Sequence, residues 1–192
     1  MVKSPNRGST KGFTLIELLI IIGIIGFLAS AILVAVDPVR RIGEARNAKR
    51  WSEVNGILNA ILTKQVDDRA SYTGSTNYPI IASDTLGQLI IDIPADTAGN
   101  PTCVGQVPAT VCPAKTFDVA ALHVAQCYVN LGVSGASALV PTYLAQVPLD
   151  PNGGATTNSK YYLQKYLSGR IEVGACAPDT ISGSPVTIKV IR

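Results

Sequence analysis

One carboxylate lies within a long apolar stretch near the start of this 192-residue chain. Between Phe13 and Val36, Glu17 is the only charged residue. An ionised carboxylate is costly to hold in an apolar environment unless a cation or hydrogen-bond donors replace its lost hydration. Glu17 is therefore the first candidate functional residue, and its chemistry predicts a positively charged partner.

The apolar stretch has the length of a membrane span. As a helix rising about 1.5 Å per residue it reaches roughly 36 Å, more than a hydrocarbon core of about 30 Å. The basic residues Lys3, Arg7 and Lys11 precede it, so the positive-inside rule keeps the N-terminus cytoplasmic and exports the C-terminal domain. A secretory signal fits poorly because apolar sequence continues past Ala29-Ser30-Ala31. A plain membrane anchor leaves Glu17 unexplained.

Gly12, Phe13 and Glu17, with Thr14-Leu15-Ile16 between them, place a glycine, an aromatic residue and a glutamate before the apolar helix. This pattern resembles the processing site of the type IV pilin family, which includes pilus subunits and the pseudopilins of type II secretion. The resemblance implies that a prepilin peptidase removes residues 1–12 as a leader and that the new N-terminal Phe13 is methylated. It also implies that an inner-membrane assembly platform moves the helix of residues 13–36 into a filament.

Cleavage after Gly12 would create a positive amine four residues from Glu17. Each charge is costly in an apolar environment, and an opposite charge within reach offsets part of that cost. In a stack of staggered helices the amine of one subunit can meet Glu17 of another, and a misaligned subunit leaves a charge unpaired. A pair between Glu17 and the amine of its own chain is the alternative, and the two can occur at different stages of assembly.

The net charge gives no support to a nucleic-acid partner. The chain has 16 basic and 13 acidic residues, a formal net charge of +3. Lys3, Arg7 and Lys11 account for the whole excess, so a chain without its leader is formally balanced. The expected partners are the peptidase, the assembly platform, other copies of the chain, and the membrane before assembly.

The four cysteines all lie in the C-terminal half and predict disulfide bonds in an oxidising compartment. They are Cys103, Cys112, Cys127 and Cys176. A Cys103–Cys112 bond would close a short proline-rich loop and leave Cys127 to pair with Cys176. Three pairings are possible, however, and the sequence does not choose between them. Reduced buried thiols are the other interpretation.

Residues 37–64 predict a second, amphipathic helix. Asp37-Pro38 ends the apolar run, either as a kink or with Pro38 opening a new helix that Asp37 caps. The face expected to pack on a domain has apolar residues at three- and four-residue spacing. These are Trp51, Val54, Leu58, Ile61 and Leu62. The charged residues from Arg40 to Glu53, Arg50 among them, predict a solvated surface, with contact to anionic headgroups or neighbouring subunits as the sharper alternative.

Residues 65–192 predict a globular domain whose strands lie near its end. Tyr161–Leu167, Arg170–Ala175 and Val186–Ile191 are β-rich and are separated by turn and loop signals. They predict an antiparallel sheet packed against the amphipathic helix, which makes the fold class α+β. Thr85–Ile93 and Val119–Asn130 are compatible with either helix or strand.

The segment Val147–Gly154, followed by Tyr161-Tyr162, resembles the loop before the sheet of major pseudopilins. In that group the loop can hold calcium, which makes Asp150 a weak calcium candidate. No set of several carboxylates accompanies it, so a turn residue is the favoured interpretation. No other metal site and no cofactor is expected.

The sequence favours a structural protein over an enzyme. No nucleophile–base–acid arrangement is visible, and the single histidine, His123, is interpreted as structural or exposed. The leading hypothesis is a subunit of a type IV pilus or pilus-like filament, anchored in the inner membrane and then displayed at the cell surface. A major pseudopilin of a type II secretion system is the alternative. A membrane-anchored exported enzyme or binding module is the alternative of another class, and it predicts that Gly12 and Glu17 are dispensable.

Overall fold

The computed structural model describes residues 12–74, 78–92, 112–115, 127–132 and 138–192. Residues 1–11, Cys103 and His123, on which the sequence made predictions, lie outside this part of the chain. The chain divides into two compact units, Met1–Arg41 and Ile42–Arg192. The first unit contains the apolar helix, and the second contains the sheet.

Helix α1 spans Leu15–Val36. It begins after Thr14, whose extended backbone and side-chain hydroxyl form an N-cap. It ends at Asp37, which has a left-handed backbone with φ 43° and terminates the hydrogen-bonded turns. Pro38 then opens the next helix, and the Asp37 carboxylate accepts the N–H of Arg40 at 3.3 Å. Of the two readings of Asp37-Pro38, the structure has the new helix that Asp37 caps.

Helix α2 spans Pro38–Asp68 and is one turn longer than the sequence predicted. Its buried stripe contains Val54, Leu58 and Ile61, as expected. Trp51 was placed on this face but keeps 42% of its surface exposed, because it lies at the edge of the stripe. The stripe continues instead through small and polar residues. These are Gly43, Asn47 and Arg50.

Within the described residues, five strands form one sheet in the order β2-β1-β3-β4-β5. They are β1 Gln88–Ile91, β2 Tyr128–Asn130, β3 Tyr161–Lys165, β4 Ile171–Ala175 and β5 Lys189–Ile191. The last three strands pair antiparallel, which confirms the predicted end of the domain. The two ambiguous segments supply β1 and β2, which pair in parallel. A parallel pair cannot be joined by a tight turn, and β1 and β2 are correspondingly far apart in the chain.

Each face of the sheet covers a different apolar cluster, because side chains alternate along a strand. Tyr161, Leu163 and Val173 point to the cluster that includes the buried side chains of α2. Tyr162 points to the opposite cluster, which contains Cys112, Cys127 and Cys176. The domain is therefore built as a helix on one face of a sheet, with a smaller second cluster on the other.

The second face also buries a carboxylate. Glu172, on β4, has no exposed surface. Its Oε1 accepts bonds from Lys115 Nζ and Tyr162 Oη, both at 2.9 Å. Its Oε2 accepts a bond from Tyr166 Oη at 2.7 Å and a longer one from Lys189 Nζ at 3.4 Å. Desolvation by burial opposes the charge, but the hydrogen bonds outweigh it and lower the pKa of Glu172 to about 2.

Acid should therefore destabilise the domain partly through Glu172. Its pKa is lower in the folded chain than its ordinary value of 4.5, so its contribution is present above about pH 4.5 and is lost as the pH falls towards 2. As the pH falls through this window, we expect the thermal midpoint of Glu172→Gln to drop less than that of the wild-type chain. Circular dichroism of the detergent-solubilised chain measures the thermal midpoint. Asp68→Asn, at an exposed carboxylate paired with Lys64, is the control, and an equal effect of both variants would contradict this role.

Candidate processing and assembly site

The start of α1 is held by a reciprocal pair of side chains, Thr14 and Glu17. The N–H and the hydroxyl of Thr14 both donate to Oε2 of Glu17 at 2.9 Å. The N–H of Glu17 donates back to the Thr14 hydroxyl at 3.3 Å. This is a capping box, which satisfies donors that every helix start leaves unpaired. The Thr-x-x-Glu spacing indicates a capping box in the sequence, but the sequence analysis assigned no role to Thr14.

The residues around this pair are all open to a partner. Every residue from Gly12 to Val36 is exposed in the structure, and Phe13 keeps 82% of its surface. Helix α1 has 22 residues and a mean hydropathy of 3.0 over its most apolar window, enough by length and composition to cross a membrane. Of the three residues singled out in the sequence, Gly12 and Phe13 thus lie just before the exposed apolar helix and Glu17 lies in its first turn.

The peptide bond before the capping box is accessible, and its position next to Glu17 determines what a cut there would do. The Gly12–Phe13 peptide bond precedes the helix and is outside its hydrogen-bonded turns. A cut there would place an amine next to Thr14, whose N–H already donates to Glu17. The carboxylate would then have a cation within reach in addition to its capping donors.

A second polar cluster joins α2 to the loop before β3. Arg50 has no exposed surface and donates to Asp150 through Nε at 2.6 Å and Nη2 at 3.0 Å. Its Nη1 donates to Asp179 at 2.6 Å and to Asn47 at 2.7 Å. Asn47 in turn donates to the carbonyl of Asp179 at 2.8 Å. Desolvation opposes the charge of Arg50, but the bonds to both carboxylates raise its pKa.

The prediction that Arg50 belongs to a solvated charged surface is therefore wrong. A fully buried arginine is tolerated because two carboxylates and an amide accept its hydrogen bonds. Two of those partners, Asp150 and Asp179, lie 100 and 129 residues along the chain. Helical spacing alone does not indicate such distant partners, although Arg50 does continue the spacing of Val54 and Leu58 towards the start of α2.

Asp150, the weak calcium candidate, has its carboxylate occupied by protein donors. Oδ2 accepts from Arg50, while Oδ1 accepts from Arg50 and from the N–H of Asn152 at 2.7 Å. The last bond is that of an Asx turn. Among the described residues, no group of three His, Cys, Asp or Glu side chains is placed to hold a metal ion.

The cysteines confirm the prediction of disulfide bonds but not the pairing that would close the short loop. Cys112 bonds to Cys176, across 64 residues. Cys127 is also disulfide-bonded and is buried. A Cys103–Cys112 bond together with Cys127–Cys176 is therefore wrong. Cys176 directly follows β4 and joins Cys112 in the cluster on the second face of the sheet, a contact that only the folded strands create.

Comparison with known families identifies the start of the chain. A family model described as a prokaryotic N-terminal methylation motif matches residues 7–33. The chain carries the signature of type IV pilins and pseudopilins. The matched residues include Gly12, Phe13, Thr14 and Glu17 and most of α1, so the capping box lies inside the methylation motif.

The methylation motif ends before α2 and the sheet. Comparisons with curated proteins and with solved structures gave no significant match. Beyond the motif, the described residues form a long helix followed by a mostly antiparallel sheet, an α+β architecture like that of pilins.

The buried cluster around Arg50 should dominate the attachment of α2 to the pre-sheet loop. We expect Arg50→Met to lower the free energy of unfolding by about 3–5 kcal/mol, because it leaves the buried carboxylate of Asp150 without its cation. Chemical denaturation of the detergent-solubilised chain, followed by circular dichroism, measures the loss. The control is Lys49→Met, at a side chain 57% exposed beside Glu53, with an expected change below about 1 kcal/mol. If Arg50→Met lowered the free energy of unfolding as little as Lys49→Met does, the cluster would be dispensable.

Proposed function

We propose that the chain is a structural subunit of a type IV pilus or pilus-like filament. It is cut after Gly12, methylated on Phe13 and polymerised through α1. The observation that carries the proposal is Glu17, the only charge of an apolar and fully exposed helix, placed inside the methylation motif. The proposed role is structural, in line with the non-enzymatic subunits typical of this family.

The surface of α1 supports both stages of this role. An apolar helix that exposes all its faces requires either lipid or other apolar helices around it. Before assembly, the membrane provides that environment, with the N-terminus cytoplasmic and the C-terminal domain exported. In a filament, copies of α1 would provide it, and small residues at Gly23, Gly26 and Ala29 would permit close approach of helix backbones.

Glu17 would supply the register of the filament. In the proposed assembly, the amine of Phe13 in one subunit pairs with Glu17 of a neighbour, and any other register leaves two charges unpaired in an apolar core. The amine of the same chain is the competing partner, since Thr14 already keeps Glu17 turned towards the helix start. Assembly would then exchange a partner within the chain for one outside it.

A pilus subunit and a major pseudopilin share all of these features. A type IV pilus or pilus-like filament is the leading form of the proposal, and a major pseudopilin is the alternative. The partners of the chain in this role are the prepilin peptidase, the inner-membrane assembly platform and further copies of itself.

Processing can be tested on the chain recovered from the cells that make it. Mass spectrometry of the mature protein should find an N-terminus at Phe13 that carries one methyl group. Gly12→Leu should leave residues 1–12 attached, because the proposed cut needs a small residue before the scissile bond. Gly23→Leu is the matched control and should be cut normally. An intact Met1 start in the wild-type protein would refute the proposal.

The charge of Glu17 can be separated from its capping role. Glu17→Gln keeps an acceptor for the capping box but removes the charge, whereas Thr14→Val removes the capping hydroxyl and keeps the charge. We expect Glu17→Gln to reduce sheared filament yield about tenfold or more, since it leaves the amine unpaired. Thr14→Val should lose much less. Cellular levels of the chain, measured by immunoblot, should be equal, and normal yield from Glu17→Gln would exclude Glu17 from assembly.

A further inference from the structure

The second face of the sheet carries a short turn that is attached to β4 at both ends. The turn consists of Cys112, Pro113, Ala114 and Lys115. At its start, Cys112 forms a disulfide bond with Cys176, which directly follows β4. At its end, Lys115 Nζ donates to Oε1 of Glu172, on β4, at 2.9 Å. We call residues 112–115 the lysine arm.

The lysine arm is a β-turn whose sequence favours its shape. The N–H of Lys115 donates to the carbonyl of Cys112 at 3.2 Å and closes the turn. Pro113 occupies the second position, where the fixed φ of proline, about −65°, favours type I and type II turns. The N–H of Ala114 donates to the carbonyl of Cys176 at 3.3 Å. The turn therefore holds Lys115 at a short, defined distance from the disulfide bond.

The two attachment points of the lysine arm lie on one face of β4 and its continuation. Side chains alternate along a strand, so Glu172, Gly174 and Cys176 point the same way. Four residues of extended chain cover roughly 13 Å. Between the two points, a Cβ at Gly174 would lie 2.5 Å from the hydroxyl of Tyr162. The gap is therefore filled by Tyr162, whose hydroxyl also donates to Glu172 at 2.9 Å.

The ammonium of Lys115 lies in surroundings that suit a cation. It is 5.5 Å from the ring centre of Tyr162 and 5.9 Å from that of Tyr166, both within range of a cation–π interaction. The side chain keeps only 14% of its surface exposed. Its stem passes Gly87, where a Cβ would lie 2.8 Å from Cγ of Lys115. Glu172 and two aromatic rings therefore replace much of the hydration that the ammonium has lost.

The carboxylate of Glu172 has a second cation that is attached in a different way. Lys189, on β5, donates to Oε2 at 3.4 Å and keeps 43% of its side chain exposed. It reaches Glu172 through the pairing of β5 with β4, which does not involve the disulfide. Lys115, by contrast, belongs to the turn that the disulfide joins to the sheet. Opening the disulfide therefore releases the attachment of one cation and leaves that of the other unchanged.

We propose that the lysine arm is a redox-sensitive device, in which closing the Cys112–Cys176 bond places the ammonium of Lys115 on the buried carboxylate of Glu172. With the bond open, the arm has lost its covalent attachment, and a buried carboxylate without its nearer cation destabilises the folded domain. The second face of the sheet is then complete only in a compartment where disulfides form. A disulfide that acted only on the unfolded chain would not depend on Lys115.

The closing step is thiol–disulfide exchange with a disulfide donor. The thiolate of Cys112 or Cys176 attacks a sulfur of the donor, and the thiolate of the other cysteine then resolves the mixed disulfide. One S–S bond forms in this chain and the S–S bond of the donor breaks. The two cysteines give up two electrons and two protons, and the donor takes up both as its two thiols. The biological setting rests on the export of the domain in the proposed function, whereas the device is a property of the chain itself.

The reduction equilibrium of the disulfide tests the device, because coupling between two interactions is reciprocal and Lys115 must in turn protect the bond. We expect Lys115→Met to make the Cys112–Cys176 bond about tenfold easier to reduce, a rise of about 30 mV in its reduction potential. Glu172→Gln should have the same effect, and the double variant no further effect. The detergent-solubilised full chain is equilibrated in dithiothreitol redox buffers and alkylated, and mass spectrometry quantifies the free thiol of Cys176.

Lys189→Met is the matched control, because it removes the other cation of the same carboxylate. It should change the reduction equilibrium by less than about twofold, since β5 pairs with β4 whether the disulfide is open or closed. An equal rise in reduction potential for Lys115→Met and Lys189→Met would show that the bond responds to the charge around Glu172 and not to the arm. That result would overturn the proposal, as would an unchanged potential in Lys115→Met or additive effects in the double variant.

Thermal unfolding of a chain that cannot close the bond supplies an independent test. Cys112→Ser combined with Cys176→Ser removes this disulfide and leaves that of Cys127 in place. In this background, Lys115→Met should lower the thermal midpoint, measured by circular dichroism, at most about half as much as in the wild-type chain. Lys189→Met should lower it equally in both. Equal losses from Lys115→Met would refute the device. Neither test needs a filament, so its failure would leave the proposed function intact.

Discussion

The constraint on which the rest of the molecule depends is the exposed apolar surface of α1. Every residue of this helix is exposed, and its composition excludes water as a stable environment for it. The helix must be surrounded by lipid or by other apolar helices. The single carboxylate in its first turn restricts these surroundings further. An apolar environment is favourable only if it also provides hydrogen-bond donors or a cation for Glu17.

The globular unit differs from α1 because it buries charged side chains in clusters that join distant parts of the chain. Arg50 ties α2 to the pre-sheet loop and to the loop after β4. Glu172 ties β4 to Lys115 on one side and to β5 on the other. Apolar packing supplies most of the stabilisation of a domain, but such satisfied polar clusters restrict how its layers can be arranged.

The sequence predicted what depends on local pattern and missed what depends on contacts between distant residues. The apolar helix, the break at Asp37-Pro38 and the last three strands follow from an apolar run, proline chemistry and alternation. The prediction of a solvated Arg50 was wrong because its partners are far away in the chain. The Cys112–Cys176 bond and the parallel β1–β2 pair likewise require knowledge of which segments meet. Thr14 is the one local feature that was not predicted, although its capping motif is present in the sequence.

The capping box has an energetic consequence for any partner of Glu17. The carboxylate of Glu17 already accepts hydrogen bonds from the N–H and the hydroxyl of Thr14. An incoming amine therefore gains only the difference between two satisfied arrangements, which is smaller than the full strength of an ion pair. In the proposed filament, a contact of small net free energy would release a wrongly placed subunit more easily than a full ion pair would. The capping box that starts the helix would then also weaken the polar contact between subunits.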